Sequence, residues 1–239
     1  MSNNYFKFKQ FTVVQDLCAM KVGTDGVLLG AWAEVKNTDE EILDIGSGSG
    51  LIALMLAQRN SKARITGIDI DAGAALQSKL NFLNSPWPDR LRAEHQALHQ
   101  FAMGCEQRYD LIVSNPPFFN NSLKAPVKAR NIARHTDALN SNDLLRMASL
   151  LLKEKGRICL ILPVDEGLLC QNTAMNCGLY LRQQVMVFPK PESRVKRLML
   201  EFVNTPCECM CTEITIESEQ RHVYSDAFSM LVKEFYLKL

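Results

Sequence analysis

The sequence predicts an α/β fold in which a mostly parallel, seven-stranded sheet carries an antiparallel edge and has helices on both faces. From residue 41 onward, short apolar runs that resemble β-strands alternate with helical patterns. A glycine-rich turn directly follows the first of these runs. The C-terminal third of the chain contains strand patterns with less helix between them. Alternating strands and helices are typical of a doubly wound parallel sheet.

The alternating elements follow one another in a simple order. "EILDIG" (41–46) predicts a strand followed by a helix over 49–60, and "RITGIDID" (64–71) predicts a second strand followed by a helix to about residue 84. A weaker strand, "LRAEHQA" (91–97), precedes the strand "YDLIVSN" (109–115), a helix over 141–152 and the strand "GRICLILP" (156–163). We expect the strands to be parallel and the helices to connect them.

The two ends of the chain depart from this alternation. "LYLRQQVMVF" (179–188), "RVKRLMLEFV" (194–203) and "CTEITI" (211–216) predict the antiparallel edge, closed by a helix over about 225–237. Near the N-terminus, Thr24 or Asp25 is expected to cap a short helix that contains Val27 to Trp32. We therefore predict one domain over 1–239, with residues 1–40 covering the cleft at the end of the sheet.

The composition excludes several classes of protein. An apolar fraction of 47% and a charged fraction of 22% are ordinary for a globular protein, and a net charge of +1 leaves only a local patch to meet a nucleic acid. No run approaches the length of a membrane span, and the N-terminus lacks the pattern of a signal peptide. We expect a cytoplasmic protein without a membrane partner, and a monomer by default.

The eight cysteines do not predict a metal site. Most are scattered through apolar runs, and only "CECMC" (207–211) groups three of them. A spacing of two puts these sulfurs on one face of a strand, whereas zinc sites usually need paired turns and a fourth ligand. No second Cys/His pair accompanies the group, so we predict no metal.

The stretch "LDIGSGSG" (43–50) ends the first strand and opens a helix. Glycines at the carboxyl end of a parallel strand let a ligand approach the backbone. The spacing G-x-G-x-G differs from the G-x-G-x-x-G of nicotinamide binders and is the compact form associated with S-adenosylmethionine (SAM). Asp69 ends the second strand, where its carboxylate could accept hydrogen bonds from ribose hydroxyls; the alternative is a helix cap formed by Asp69 or Asp71.

The stretch "SNPPFFNN" (114–121) places Asn115 at the carboxyl end of the fourth strand, beside this cleft. Its side-chain oxygen and the Pro116 carbonyl can accept the two hydrogens of an exocyclic amine, which would direct the nitrogen lone pair toward a methyl donor. Pro116 and Pro117 add no competing N–H donors, and Phe118 or Phe119 could stack on a flat base. The structural alternative is a strand-ending turn with two buried phenylalanines.

Together these motifs resemble class I SAM-dependent N-methyltransferases, which have a Rossmann-like fold. With "MKVGTDG" (20–26) and the C-terminal "EFYLKL" (234–239), the chain from about residue 6 to 239 resembles the bacterial tRNA1(Val) adenine-N6 methyltransferase family. That family methylates the adenine 3′ of the anticodon. The resemblance implies SAM as cofactor and tRNA as partner.

The resemblance also implies roles for individual residues. The catalytic clamp would consist of Asn115, Pro116, Pro117 and Phe118. Asp25 would approach the cofactor from the N-terminal segment. Enzymes of this class usually hold the cofactor adenine amine with an Asp, and Ala97 stands there in this sequence, so backbone atoms would take its place. The cofactor-binding set would be Lys21, Thr24, Asp44, Gly46, Gly48, Gly50, Asp69, Ile70, Leu98 and Asn115.

Two basic clusters are candidates for contact with RNA phosphates. The first contains Lys124, Lys128, Arg130 and Arg134 and directly follows the clamp; the second contains Lys190, Arg194, Lys196 and Arg197. For each cluster the alternative is a solvated charged surface.

Other functions fit the same clamp. Guanine N2 in ribosomal RNA also bears an exocyclic amine, and the glutamine side chain of a release factor carries a planar amide. "KVGTDG" favours the tRNA enzyme over both. A non-catalytic RNA-binding module is the alternative from another class, but such a module would not need paired acceptors at the point of transfer.

Overall fold

The computed structural model describes residues 4–117, 141–220 and 223–238. The N-terminal part contains β1 (Tyr5–Lys7), β2 (Thr12–Val14) and α1 (Thr24–Trp32). The alternating part then contains β3 (Glu41–Ile45), α2 (Leu51–Arg59), β4 (Arg64–Asp69), α3 (Ala72–Leu83), β5 (Leu91–His95), α4 (Leu98–Gly104) and β6 (Tyr109–Ser114). After it come α5 (Ser141–Leu151), β7 (Leu152–Pro163), α6 (Val164–Ala174), β8 (Tyr180–Phe188), β9 (Arg197–Val203), β10 (Met210–Thr215) and α7 (Asp226–Val232).

The central sheet has the strand order β10-β8-β9-β7-β6-β3-β4-β5. All pairings are parallel except those of β9, which runs antiparallel to both β7 and β8. The predicted mostly parallel sheet with an antiparallel addition is confirmed. Each of the eight predicted strand runs forms a strand of it, so the predicted total of seven strands was one too low. The antiparallel strand β9 lies inside the sheet, between β7 and β8, rather than at its edge.

Two apolar layers cover the sheet, one on each face. Along β7, Cys159 and Ile161 belong to the layer with α1, α2 and α7, whereas Ile158 and Leu160 belong to the layer with α5 and α6. Successive strand residues point to opposite faces, so a strand covered on both sides is apolar throughout. This explains the continuous apolar run that predicted β7.

Several short elements were not predicted. The hairpin of β1 and β2 has only three residues in each strand, and α4 has seven residues. In α1 the predicted cap is wrong: Gly23 occupies the N-cap position, without a side-chain hydrogen bond, and Thr24 and Asp25 are the first helical residues. The Asp25 carboxylate instead accepts a hydrogen bond from a distant arginine, described below.

The strand order reverses direction at β3, whose neighbours are β4 on one side and β6 on the other. In register, Ile45 lies beside Ile68 and beside Ser114, so the three strands end at one level. Ligands of open α/β sheets bind at this kind of switch point, outside the carboxyl ends of the strands. Within the described ranges, no helix has the length and apolar character needed to cross a bilayer.

Candidate active site

A cavity of about 630 Å³ opens at the carboxyl ends of β3, β4 and β6. Its volume lies in the range of small-molecule sites, roughly 300–1,000 Å³. The structure brings eight of the predicted site residues to its wall: Gly46, Gly48, Asp69, Ile70, Leu98, Asn115, Pro116 and Pro117.

The glycine loop forms the floor of the cavity. Gly46, Gly48 and Gly50 have φ values of +70°, +56° and +79°, a region that side-chain-bearing residues rarely adopt. The Gly46 and Ser47 amides both donate to the Ile68 carbonyl, at 2.8 and 3.0 Å, which fixes the loop to the end of β4. A Cβ on Gly46 would meet no atom within 4 Å, whereas one on Gly50 would lie 2.4 Å from Phe82 Cε1. Gly46 therefore leaves room for a ligand, and Gly50 leaves room for the core.

This difference predicts separate effects for two alanine substitutions. Gly50→Ala should destabilise the fold by about 2–4 kcal/mol, because it adds a steric clash to an unfavourable φ. Gly46→Ala should cost only about 1 kcal/mol in stability but weaken the binding of SAM, the cofactor that the sequence predicts, at least tenfold, because its methyl group occupies ligand space. Urea unfolding and calorimetric titration with SAM measure the two effects. Equal SAM affinity in wild type and Gly46→Ala would contradict the placement of the ligand.

Asp69 links the glycine loop to the start of α3. Its Oδ2 accepts from the Gly48 amide and its Oδ1 from the Asp71 amide, both at 2.9 Å. The helix cap is Asp71, whose Oδ1 accepts from the Ala74 amide at 2.8 Å. Each carboxylate oxygen has a second lone pair, so Asp69 can still accept from a ligand hydroxyl.

Asp44 lies beneath the loop, fully buried, and does not line the cavity. Its Oδ2 accepts from the Ala53 amide at 3.2 Å, while its Oδ1 has no hydrogen-bond partner among the described residues. Burial raises the pKa of Asp44 to about 7; the Ala53 hydrogen bond opposes this shift and the Asp69 charge adds to it. An unpartnered carboxylate oxygen under a glycine loop suits a cationic ligand above it.

The raised pKa of Asp44 predicts a pH-dependent stability. The folded state binds a proton more tightly than the unfolded state, so this group's contribution to stability falls as pH rises from about 4 to about 7. Asp44→Asn does not titrate, so its free energy of unfolding relative to wild type should rise by about 2–3 kcal/mol between pH 5 and pH 8. The rise is about 1.4 kcal/mol per pH unit up to the folded-state pKa of about 7 and levels off above it. Urea unfolding at a series of pH values measures this gain. A constant difference between wild type and variant would contradict the buried titration.

Asn115 follows β6 at the level of the glycine loop. Its side-chain Oδ1 is buried and has no hydrogen-bond partner among the described residues. The preceding residue is fixed, since Ser114 Oγ donates to the Ile45 carbonyl at 2.7 Å. Pro116 is buried and Pro117 is exposed. The structure therefore presents a buried amide acceptor in the wall of the cavity.

The other predicted site residues lie elsewhere. Lys21 and Thr24 are exposed and do not line the cavity, and Gly50 packs against the core. Phe118 lies outside the described residues, as do Lys124, Lys128, Arg130 and Arg134. Their roles stay predictions.

Several cavity residues were not predicted. Cys18, Ala19 and Met20 line the cavity, as do Gln96 and His99. Burial raises the pKa of Cys18 to about 11, with the charges of Asp69 and Asp71 adding to the shift, so its thiol stays neutral. No spacing in "DLCAMK" marks these residues as site residues; only the prediction that residues 1–40 cover the cleft pointed to this segment.

The second basic cluster lies at the same end of the strands as the cavity, in the turn between β8 and β9 and at the first residue of β9. Arg194 and Lys196 are exposed. Arg197 Nε donates to Asp25 Oδ2 at 2.7 Å, and Lys190 Nζ lies 3.6 Å from Glu217 Oε2. This end of the strands therefore presents three exposed cations, of which Lys190 has an acidic neighbour, and Arg197, which pairs with Asp25.

Neither the cysteines nor a second groove adds a site. Cys207, Cys209 and Cys211 are exposed and free, and the described ranges contain no group of three or more residues that could hold a metal ion. A groove of about 940 Å³ runs along β5 and carries charges of both signs. It extends from Glu41 and Arg64, at the amino ends of β3 and β4, to Gln96, and its lining includes neither Asn115 nor the glycine loop.

Comparison with known proteins places this site in a family context. The family "Methyltransferase small domain" matches residues 23–162. The chain is 49% identical to a protein of Phocaeicola vulgatus and 46% identical to one of Trichodesmium erythraeum, each over the whole of both chains. It is 42% identical to a protein of Edwardsiella ictaluri, over 99% of this chain and 95% of that one. All three relatives are named tRNA1(Val) (adenine(37)-N6)-methyltransferase.

Solved structures share the fold at much lower identity. A predicted O-methyltransferase from Agrobacterium tumefaciens superposes with a TM-score of 0.68 at 16% identity, covering 88% of this chain and 96% of that one. A ribosomal protein L11 methylase from Lactobacillus delbrueckii gives a TM-score of 0.53 at 15% identity, covering 76% and 78%. These likenesses confirm the Rossmann-like class I methyltransferase fold.

Proposed function

Because this chain belongs to the family of tRNA1(Val) (adenine(37)-N6)-methyltransferases, we propose that it transfers the methyl group of SAM to the N6 amine of the adenine just 3′ of the anticodon in tRNA1(Val). The observation that carries this proposal is the buried Oδ1 of Asn115 in the wall of the cavity, which has no hydrogen-bond partner in the described part of the chain. A buried acceptor without a partner is costly, and a substrate that donates to it removes that cost.

The residues of the cavity fit SAM. Gly46 and Gly48 leave space beside the backbone for the methionine moiety, and Asp69 retains acceptor capacity for ribose hydroxyls. Ile70 and Leu98 offer apolar surface to the adenine. When Asp44 is deprotonated, its Oδ1, which has no hydrogen-bond partner among the residues that the structure describes, places negative charge below the loop and favours a cation there. When bound, SAM supplies an electrophilic methyl group on a sulfonium centre.

The Asn115 side chain acts on the other reactant. The N6 lone pair of adenine is delocalised into the ring, so the amine is a poor nucleophile. Asn115 Oδ1 and the Pro116 carbonyl would accept its two hydrogens and favour a pyramidal nitrogen. The nitrogen loses a proton readily once it is alkylated, so the residues need only to position the amine. Phe118 would stack on the base, as the sequence predicts.

The basic residues at the strand ends beside the cavity would contact the RNA backbone. The exposed Arg194 and Lys196 offer cations for phosphates, and the cluster from Lys124 to Arg134 follows the clamp directly in sequence. Single-stranded loops are the usual targets of sequence-specific RNA recognition, because their bases can leave the stack. A base of the anticodon loop meets this requirement. We place the reaction in the cytoplasm.

Transfer of labelled methyl from SAM to unmodified tRNA tests the proposal. Nuclease digestion and mass spectrometry then identify the modified nucleoside, with ribosomal RNA and a release factor as parallel substrates. N6-methyladenosine confined to tRNA1(Val) is the expected product. Label in guanine N2 of ribosomal RNA, or in a glutamine side chain, would support the proposed role of the clamp but show that the assigned substrate is wrong. Tight RNA binding without transfer to any of these would favour a binding module.

A further inference from the structure

An ion pair beside the cavity joins two distant parts of the chain. Arg197 Nε donates to Asp25 Oδ2 at 2.7 Å, although the residues lie 172 positions apart in sequence. Asp25 belongs to the first turn of α1, and Arg197 is the first residue of β9. The side chains are 27% and 31% exposed, so the pair is partly protected from water. It connects the N-terminal segment to the centre of the sheet.

The first turn of α1 lies against the catalytic amide. A Cβ on Gly26 would come within 3.0 Å of Leu51 Cδ2 and 4.0 Å of Asn115 Nδ2. The backbone of α1 therefore approaches both the start of α2 and the Asn115 side chain. A shift of this turn would change the packing behind the Asn115 amide and the direction of its Oδ1.

The arginine end of the pair is anchored firmly. Arg197 lies in register with Pro163 of β7 on one side and with Val187 of β8 on the other. Arg194 and Lys196, in the preceding turn, are exposed and belong to no strand. Arg197 is thus held within the sheet, and its guanidinium is directed at α1.

We propose that the ion pair between Asp25 and Arg197 is a positioning device for methyl transfer, which holds the first turn of α1 against Asn115. This inference rests on the proposed function. It assigns Arg197 to the orientation of the catalytic amide rather than to the binding of RNA phosphates. The two roles differ in kinetics, because loss of orientation lowers kcat, whereas loss of a phosphate contact raises KM for tRNA.

The test is a mutant cycle with Arg197→Met, Asp25→Asn and the double variant. Each single variant should lower kcat about tenfold, with KM for tRNA within about twofold of wild type, since small displacements of reacting groups have large effects on rate. The double variant should be no slower than the slower single variant, because both substitutions remove the same contact. Arg197→Lys, which keeps the charge but not the shape, should fall between Arg197→Met and wild type.

Lys153→Met provides the matched control. Lys153 Nζ pairs with Asp110 Oδ2 at 2.8 Å, with side chains 30% and 21% exposed, at the opposite end of β6 from Asn115. The Tm of the Lys153→Met variant should change as much as that of Arg197→Met, while its kcat stays at the wild-type value. A raised KM for tRNA and a weaker salt dependence in Arg197→Met alone, with Asp25→Asn behaving as wild type, would establish the phosphate contact and overturn the positioning role.

The remaining outcomes separate the two proposals. Normal kcat in both single variants, with active wild type, would overturn the positioning role alone. A wild-type protein that methylates no tRNA would overturn the proposed function and the positioning role with it.

Discussion

Asn115→Ala should lower kcat for tRNA methylation about 100-fold or more while SAM binds with nearly wild-type affinity. Asn115 Oδ1 is a buried acceptor that the described residues leave without a partner, so its hydrogen bond is available for the substrate amine. Removal of one preorganised group that stabilises a transition state typically costs 10²–10³ in rate. Single-turnover transfer of labelled methyl, together with calorimetric titration of SAM, measures both quantities.

Asn115→Asp is the matched variant for this prediction. It keeps an oxygen acceptor in nearly the same place and should retain more activity than Asn115→Ala. An alanine variant within tenfold of wild type would show that the amide is not part of the clamp. A variant that loses SAM binding to the same degree would assign Asn115 to the cofactor instead.

Arg157→Met should destabilise the protein by about 3–5 kcal/mol, the usual cost of breaking a buried ion pair. The Arg157 side chain is 2% exposed and the Asp39 side chain 4%, and Arg157 Nη2 donates to Asp39 Oδ2 at 2.5 Å. The same nitrogen donates to the Glu34 carbonyl at 3.1 Å. The substitution leaves the Asp39 carboxylate buried without its arginine. Urea unfolding measures the loss.

Two further variants make this prediction specific. The double variant Arg157→Met/Asp39→Asn should lose clearly less stability than the sum of the losses in the two single variants, because it leaves no unpaired charge. Arg92→Met removes the exposed pair between Arg92 and Glu94, in which Arg92 is 76% exposed, and should change stability by less than about 1 kcal/mol. Similar losses in Arg157→Met and Arg92→Met would contradict the buried-pair argument.

The sequence was most informative where one residue type is needed for one backbone shape. Gly46, Gly48 and Gly50 were predicted to form the loop, and all three have positive φ. Strands β3, β4, β6 and β7 were predicted from short apolar runs. In β6 and β7 these runs are continuous, because burial on both faces removes polar residues from a strand.

The sequence was least informative about contacts between distant segments. Arg197 looked like an RNA contact because it stands in a basic run, and only the folded chain shows that Asp25 lies beside it. The order of β8 and β9 in the sheet was equally hidden, since periodicity predicts strands but not their neighbours. Cys18 and Met20 line the cavity through the path of the chain, not through any motif.

The position of β9 between β7 and β8 has a consequence for synthesis on the ribosome. In the described sheet, β8 and β10 connect to the other strands only through β9. Strands β3 to β7 can pair as they emerge, but residues 180–188 must wait until residues 197–203 have been translated. Nascent chains arrested before this point should expose β8 to proteases and to aggregation, since the unpaired backbone groups of an edge strand can pair with other chains. The last quarter of the polypeptide thus completes assembly of the sheet.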